Sequence, residues 1–466
     1  MSIPSDFIFA CSTASYQIEG AWNIDGKGEN IWDRLTHINP NFVSNNDNGD
    51  IACNSYYLYK EDVKLIKNIG FDMYRFSISW ARILPNGDLT NINDAGIRYY
   101  HNLIDELLEN GIKPMVTMYH WDLPQKLQDI GGWMNSLIVD YIEDYADLLF
   151  KLYGDKVKWW ITINEPANII AGYSSEKYAP ALNLDSPANY IVGHNILKGH
   201  AKIFRLYETK YRLKQQGNIS ISINASCLLP KTVSKENEEA TNQGWEFTLG
   251  WFSHPIFSKG GDYPEIMKKI IDENSKQEGR KRSRLPTFTK EEIQFIQGSF
   301  DFFALNHYIT RLCSPGHPPF SSTYLKDINV NFEIDPTWPN SKAPWLQIVP
   351  FGLKELLRFI KYKYNNPPVF ITENGYCESK GLNDIDRITY HREYIKEMLV
   401  AKEKFECNVI GYTAWSLMDN FEWKDGFEFQ FGIVFVDFND PNRKRTPKKS
   451  ADFFKQLLKT RNIPDI

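Results

Sequence analysis

The sequence predicts an α/β fold, a single (β/α)8 barrel with elaborated βα loops. Eight short apolar runs, rich in β-branched and aromatic residues, alternate with segments of helical periodicity. Such alternation is typical of a parallel sheet, and eight units are the number that closes a barrel. The alternative is an open doubly wound sheet, but no G-x-G-x-x-G follows the first run. Without a visible linker or internal repeat, we expect one domain over residues 1–466.

The first half of the chain contains four predicted strands. They are residues 7–14, 73–80, 114–119 and 159–165. Helices are predicted between them from apolar residues at helical spacing. Their ranges are 56–69, 96–110 and 138–153. The second helix stops at Gly111, a residue suited to the left-handed conformation that ends helices.

The second half of the chain repeats this order. Strands are predicted at 219–223, 301–308, 369–373 and 409–415. Helices are predicted at 194–211, 352–364, 387–405 and 450–459. The span 235–295 is expected to hold helices and an excursion, whereas the Pro-rich span 315–349 is predicted as loop. The basic runs 281–284 and 443–449 are predicted as solvated loops.

Polar side chains gather where the predicted strands end, and in a barrel those ends form the active-site rim. Two of them are carboxylates: Glu373 ends the apolar run 369–372, and Glu165 ends the run 159–163. Because Pro166 restricts the residue before it, we expect Glu165 to be extended and the strand to stop there. The other rim residues are Gln17, Arg75, His120, Asn164, Asn306, Tyr308 and Trp415.

Two carboxyl groups on one rim predict glycosidase chemistry. Retaining glycosidases hold two such groups about 5–5.5 Å apart, one protonated to assist the leaving group and one ionised to attack the anomeric carbon. A carboxylate near Arg75 and hydrogen-bonded by Tyr308 stays ionised, because both partners favour the charged form. The residues alone leave open which acid has these neighbours.

Seven motifs resemble glycoside hydrolase family 1, the β-glucosidase family, in family order along the whole chain. They lie at residues 7–20, 74–80, 120–124, 162–166, 306–308, 371–375 and 415–423. The resemblance implies one family 1 catalytic domain that hydrolyses β-D-glucosides through a covalent glycosyl-enzyme, without a cofactor. The sequence is most similar in style to insect β-glucosidases and myrosinases. A non-catalytic binding member would lack an acid, and both Glu165 and Glu373 are present.

The resemblance also implies roles for single residues. Glu373 is expected to be the nucleophile and Glu165 the acid/base, while Asn164 binds the sugar 2-hydroxyl. Arg75 and Tyr308 are expected to keep Glu373 ionised. The remaining expected substrate-binding residues are Gln17, His120, Asn306, Trp415, Glu422 and Trp423 for the glycone, and Trp345 as an aglycone platform.

Glu422 and the cations near the rim indicate the substrate. A carboxylate at Glu422 repels a phosphorylated sugar, so we expect an unphosphorylated hexose, glucose first, with galactose and fucose left open. The alternative is a β-thioglucosidase (myrosinase) acting on glucosinolates. By resemblance to insect myrosinases, two positions contact the substrate sulfate; they are occupied here by Ala171 and Arg311. Only one of them is a cation, so we favour O-glucosides.

Composition excludes other classes of function. The 466 residues are 42% hydrophobic with a net charge of −5, which gives no reason to expect nucleic acid or an anionic membrane as partner. No apolar run reaches the roughly 18 residues that span a bilayer. The first six residues have no signal-peptide pattern, which predicts a cytoplasmic protein, or a secreted one if a leader was removed. A homodimer is compatible with the sequence.

Cysteine and histidine patterns give no reason to expect a metal. The six cysteines form no C-x-x-C pair, so neither a zinc site nor a redox dithiol is predicted. A metal-dependent barrel hydrolase needs a two-His-plus-carboxylate set, and none gathers at the predicted strand ends. The sequence therefore predicts a small glucoside as the binding partner and no metal.

Overall fold

The computed structural model describes residues 3–378 and 381–464, so both ends of the predicted 1–466 domain lie outside the described residues. The described residues form the strands β1 Ile8–Ser12, β2 Met73–Ser77, β3 Lys113–Tyr119, β4 Trp159–Asn164, β5 Asn218–Asn224, β6 Cys227–Pro230, β7 Phe303–Asn306, β8 Thr310–Pro315, β9 Val330–Glu333, β10 Val369–Asn374, β11 Val409–Trp415, β12 Val434–Val436 and β13 Arg445–Pro447. Eight of these strands, all parallel, close into a barrel in the order β1–β11–β10–β7–β5–β4–β3–β2. The predicted barrel is confirmed.

Helices follow the barrel strands and cover their outer face. They are α1 Ser15–Ile18, α2 Ile31–Ile38, α3 Ser55–Ile69, α4 Trp80–Ile83, α5 Asp94–Glu109, α6 Gln125–Asp129, α7 Ile138–Tyr153, α8 Pro166–Ser174, α9 Ala188–Leu206, α10 Arg212–Gln215, α11 Lys235–Phe247, α12 Leu249–Phe257, α13 Glu265–Gln277, α14 Lys290–Ile296, α15 Thr323–Ile328, α16 Pro350–Lys363, α17 Ile385–Phe405 and α18 Lys449–Thr460. A π-helical turn, Tyr207–Tyr211, joins α9 to α10.

The interior of the barrel is packed at the end where the strands begin. A buried apolar cluster fills it, formed by Ala10, Met73, Met115, Ile161, Phe302, Ala304 and Phe370. Strands buried on both faces need near-continuous apolar runs, which explains the pattern in the sequence. Because this end is filled by side chains, the polar rim forms at the other end.

Strand register brings the rim residues level with one another. Arg75 on β2 pairs with Ser12, which pairs on its other side with Trp415 at the end of β11. Glu373 on β10 pairs with Asn306 on β7. At Gly375, a Cβ atom would lie 1.9 Å from the carbonyl oxygen of Trp415, so this close approach of the two chain segments requires glycine. Residues far apart in sequence thus share one rim.

Several spans differ from the prediction. The predicted strand 73–80 ends at Ser77, the predicted helix 194–211 is α9, and the predicted loop 443–449 contains β13. The span 315–349, predicted as loop, contains α15 and β9. Strand β9 pairs with β8 and belongs to a three-stranded sheet, β6–β8–β9, outside the barrel. This short strand is half-buried and is held by its partner, so its own sequence carries little strand signal. The strand predicted at 301–308 is shorter in the structure. Only its central residues, Phe303–Asn306 of β7, pair within the barrel.

The described residues add three further facts. None of their helices combines the length and apolarity that crossing a bilayer requires. Their His, Cys, Asp and Glu side chains form no group of three arranged to hold a metal ion. The six cysteines are buried as free thiols.

Candidate active site

Glu373 lies near the end of β10 with its side chain 5% exposed. Arg75 donates from Nη1 to Glu373 Oε1 at 2.5 Å, and Tyr308 donates its hydroxyl to Oε2 at 2.8 Å. Burial, followed by the charge of Glu373, raises the pKa of Tyr308 well above its ordinary value, so this phenol keeps its proton. A buried guanidinium and a hydroxyl donor both favour the ionised carboxylate. Arg75 and Tyr308 therefore stand beside Glu373, as expected.

Glu165 has different surroundings. Asn306 donates from Nδ2 to Glu165 Oε1 at 2.7 Å, and Asn168 donates from Nδ2 to Oε2 at 2.6 Å. Burial raises the pKa of Glu165 to about 8, and the negative charge of Glu373 adds to this rise. This carboxyl group is held by neutral amides and stays protonated at higher pH than an ordinary glutamate. It is suited to donate a proton near neutral pH.

The backbone of Glu165 contradicts the sequence prediction. Glu165 is left-handed, with φ +48° and ψ 76°, instead of extended. Strand β4 ends at Asn164 and α8 begins at Pro166, so this single residue turns the chain from strand to helix. Proline disfavours the right-handed helical region for the residue before it, and the amide of Glu165 remains bonded to Ser222 O at 2.8 Å. The strained geometry aims the carboxyl group into the rim.

Two asparagines connect the carboxyl groups. Asn164 Oδ1 accepts from Arg75 Nη2 at 2.6 Å and from Asn306 Nδ2 at 3.2 Å. A continuous chain of hydrogen bonds therefore runs from Glu373 through Arg75, Asn164 and Asn306 to Glu165. Asn164, Asn306 and Arg75 are all at most 1% exposed. This rigid network fixes the position of one acid relative to the other.

Three buried polar atoms on the rim have no hydrogen-bond partner among the described residues. They are Gln17 Oε1, His120 Nδ1 and Glu422 Oε2. Gln17 is fixed by its Nε2, which donates to Asn420 Oδ1 at 2.9 Å and to Phe421 O at 2.8 Å. These atoms can form hydrogen bonds with the hydroxyl groups of a ligand.

Aromatic rings form one wall of this pocket. The ring of His120 lies nearly parallel to those of Trp415 and Trp423, with centroid distances of 6.0 and 5.9 Å. Trp121 packs against Trp423 at 4.5 Å. Burial and the nearby charge of Arg75 lower the pKa of His120 well below its ordinary value, so the imidazole is neutral. The sequence-predicted glycone residues are thus brought together around flat apolar faces and unpaired polar atoms.

Trp345, predicted as the aglycone platform, lies beside Tyr308 and is 40% exposed. Its ring stacks on Phe431 at 6.1 Å and meets the ring of Tyr308 edge-on at 6.0 Å. Arg311 donates from Nη2 to Trp345 O at 2.7 Å and from Nη1 to Gln347 Oε1 at 2.9 Å. The guanidinium is thus bonded to the segment that carries the platform. Its predicted contact with substrate stays a prediction.

Two features of the site were not predicted from the sequence. Asn168 lies three residues after Glu165, on the first turn of α8. Side chains three residues apart on a helix are neighbours, and this spacing is the sequence feature that could have predicted the contact. The other is Lys448, in a run predicted as solvated. It is 1% exposed and donates to Asp419 Oδ1 at 2.7 Å, which anchors the segment between Trp415 and Trp423.

The other basic run, 281–284, was also predicted as solvated, and one of its residues is buried. Arg284 is 4% exposed and forms a two-point ion pair with Asp327, at 2.5 and 2.7 Å. A lone charge is costly to bury, but a paired one is tolerated, and neither acid is close in sequence to its partner. Local charge density therefore predicts exposure wrongly for Arg284 and Lys448.

Comparison with known proteins agrees with this geometry. The family model described as Glycosyl hydrolase family 1 matches residues 1–463. Myrosinase 1 of Brevicoryne brassicae is 50% identical over 460 residues, covering 98% of this chain and 98% of that protein. Cytosolic beta-glucosidase of Homo sapiens is 42% identical over 469 residues, covering 99% of each. A solved aphid myrosinase structure superposes with a TM-score of 0.97 at 49% identity, covering 99% of this chain and 100% of that one. The chain belongs to glycosyl hydrolase family 1 and is a glycoside hydrolase.

Proposed function

We propose that the protein is a retaining β-glucosidase that hydrolyses unphosphorylated β-D-glucosides by double displacement. One observation carries the proposal: two buried carboxyl groups on one rim have opposite surroundings. Glu373 is held by a guanidinium and a phenol, whereas Glu165 is held by two neutral amides. When the environments of two acids favour opposite protonation states, the two acids have opposite roles in catalysis. Glu373 is therefore the nucleophile and Glu165 the acid/base.

In the first step, a Glu373 oxygen forms a bond to the anomeric carbon as the bond to the aglycone oxygen breaks. Glu165 transfers its proton to the departing oxygen, so that the aglycone leaves as a neutral alcohol. Asn164 lies between the acids, where its amide can bind the sugar 2-hydroxyl. Arg75 and Tyr308 hold Glu373 in its attacking position until the glycosyl-enzyme has formed.

In the second step, Glu165 takes a proton from water while the water oxygen bonds to the anomeric carbon and the bond to Glu373 breaks. The change of role follows from electrostatics. Burial and, after it, the charge of Glu373 raise the pKa of Glu165 in the free protein. This charge is absent in the ester, so the pKa of Glu165 falls and the group becomes a base.

Glucose is the proposed glycone. Gln17, His120 and Glu422 offer unpaired polar atoms to sugar hydroxyls, and sugars that lack those hydroxyls leave these atoms buried and unpaired. Burial, the charge of Asp425 and that of Glu373 all raise the pKa of Glu422. Such a site disfavours the added negative charge of a sugar phosphate. Galactose and fucose are further glycones to compare.

A β-thioglucosidase is the second candidate, because the relatives include a protein named myrosinase 1. One observation favours O-glucosides instead. Arg311, the cation predicted to contact the sulfate, already donates to neutral acceptors in the Trp345 segment.

Comparing an aryl β-glucoside, cellobiose and a glucosinolate by kcat/KM tests this choice. We expect the O-glucosides to be the better substrates. Arg311→Ala should weaken aryl glucoside and glucosinolate alike, by about fivefold for loss of about 1 kcal/mol of hydrogen bonding to the platform segment. Ala171→Lys, which introduces a cation at the second position expected to contact the sulfate, is the matched control. A glucosinolate preference that Arg311→Ala removes selectively would establish the thioglucosidase instead.

A cytoplasmic location is the finer proposal about compartment. The human relative named cytosolic beta-glucosidase supports it, and secretion is the alternative. The homodimer that the sequence allows stays a prediction.

A further inference from the structure

Asn168 contacts the acid/base from the solvent side of the rim. Its Nδ2 donates to Glu165 Oε2 at 2.6 Å, while Asn306 donates to the other carboxyl oxygen at 2.7 Å. Asn306 is 1% exposed and is fixed by Ser222 and Thr372, which donate to its Oδ1 at 2.9 and 2.7 Å. Asn168 is only half-buried. The two amides therefore differ in how firmly they are held.

We propose that Asn168 is a positioning residue that stabilises the base form of Glu165 and so promotes breakdown of the glycosyl-enzyme. This inference rests on the proposed function, because it needs Glu165 to act as acid in one step and base in the next. On this proposal, Asn168 affects the rate of breakdown of the glycosyl-enzyme relative to the rate of its formation.

Hydrogen-bond chemistry gives the reason. An ionised carboxylate offers lone pairs on both oxygens, so both amides donate to it fully. A protonated carboxyl group carries its proton on one oxygen, and that proton must face the glycosidic oxygen during the first step. An amide that donates to the same oxygen is then opposed to the proton. Since Asn306 is fixed, the contact that weakens in the acid form is the one from Asn168 to Oε2.

Other charged and titratable groups also face Glu165, and variants of Asn168 leave them in place. Glu373 raises the pKa of Glu165 and Arg75 lowers it. Glu422, Tyr178 and Tyr308 also interact electrostatically with Glu165. Against this constant background, loss of the Asn168 donor raises the pKa of Glu165 above its value of about 8. The acid form then persists to higher pH.

The test compares wild type with Asn168→Ala and with Asn168→Gln, which keeps the amide. Dinitrophenyl β-glucoside is the first substrate, because its leaving group needs no proton and breakdown of the glycosyl-enzyme limits turnover. At pH values near or below the pKa of Glu165 in the glycosyl-enzyme, we expect Asn168→Ala to lower its kcat by about three- to tenfold. With phenyl β-glucoside as substrate, kcat/KM of Asn168→Ala should begin to fall at a higher pH than kcat/KM of the wild type. The values for Asn168→Gln should lie between those of the wild type and those of Asn168→Ala.

Ala167→Ser, at the exposed neighbouring position, is the control and should leave every value unchanged. An unchanged kcat for dinitrophenyl β-glucoside at low pH in Asn168→Ala, or an unmoved pH profile, overturns the inference. Glu165→Ala separates this failure from failure of the proposed function. If Glu165→Ala forms β-glucosyl azide while Asn168→Ala behaves as wild type, only the inference fails. If Glu165→Ala forms none, the acid/base assignment itself fails.

Discussion

Glu373→Gln is expected to lower kcat for every β-glucoside by on the order of 10⁴-fold or more, because it removes the attacking oxygen. Glutamine keeps an oxygen that accepts from Arg75, so the buried guanidinium is not left without a partner. Glu373→Ala should lose activity equally. The measurement is steady-state kinetics with an aryl β-glucoside, on protein shown by circular dichroism to be folded.

The variant has a second readout that loss of folding cannot produce. α-Glucosyl fluoride resembles the glycosyl-enzyme in its anomeric configuration, so Glu373→Ala should transfer its glucose to an acceptor sugar and form a β-linkage. Arg358→Ala, on the outer helix α16, is a matched control and should keep full hydrolytic activity. Folded Glu373→Gln with a tenth or more of wild-type activity would contradict the nucleophile assignment.

Glu165→Ala should have an effect that depends on the leaving group. For phenyl β-glucoside, whose leaving oxygen needs a proton, kcat/KM should fall by about 10²- to 10⁴-fold. For dinitrophenyl β-glucoside, kcat/KM should change little, because this leaving group departs unprotonated. Its kcat should nevertheless fall, since water lacks a base in the second step. Comparing the two substrates separates the acid role from the base role.

Azide supplies the control for this variant. It attacks the glycosyl-enzyme without general-base assistance, so it should restore kcat in Glu165→Ala and yield β-glucosyl azide. The wild type should show no such rescue. A loss equal for both leaving groups, without an azide product, would show that Glu165 is a structural residue and would leave the proton donor unassigned.

Barrel strands were predictable because burial on both faces imposes continuous apolar runs. Strand β11 and helix α7 lie at the predicted bounds, 409–415 and 138–153. Strand β9 was not predictable, because its pairing depends on β8 and little on its own composition. Register across the barrel, which brings Arg75 and Glu373 together, is likewise a property of the closed sheet rather than of either strand.

Within the site, sequence motifs identified the acids but not their geometry. The left-handed backbone at Glu165 results from the direct junction of β4 and α8, and the expected proline effect alone predicts an extended residue. Asn168 contacts Glu165 only because α8 starts without an intervening loop. Lys448 is buried because Asp419, distant in sequence, neutralises it. Each of these depends on where another element ends.

The most direct test of the double displacement is the configuration of the glucose that first forms. Proton NMR follows the anomeric signals during rapid hydrolysis of an aryl β-glucoside, before mutarotation mixes the two anomers. Two inversions at the anomeric carbon predict β-glucose as the first product, with α-glucose appearing only later. α-Glucose as the first product would mean a single displacement by water, and it would contradict the role of Glu373 as a covalent nucleophile.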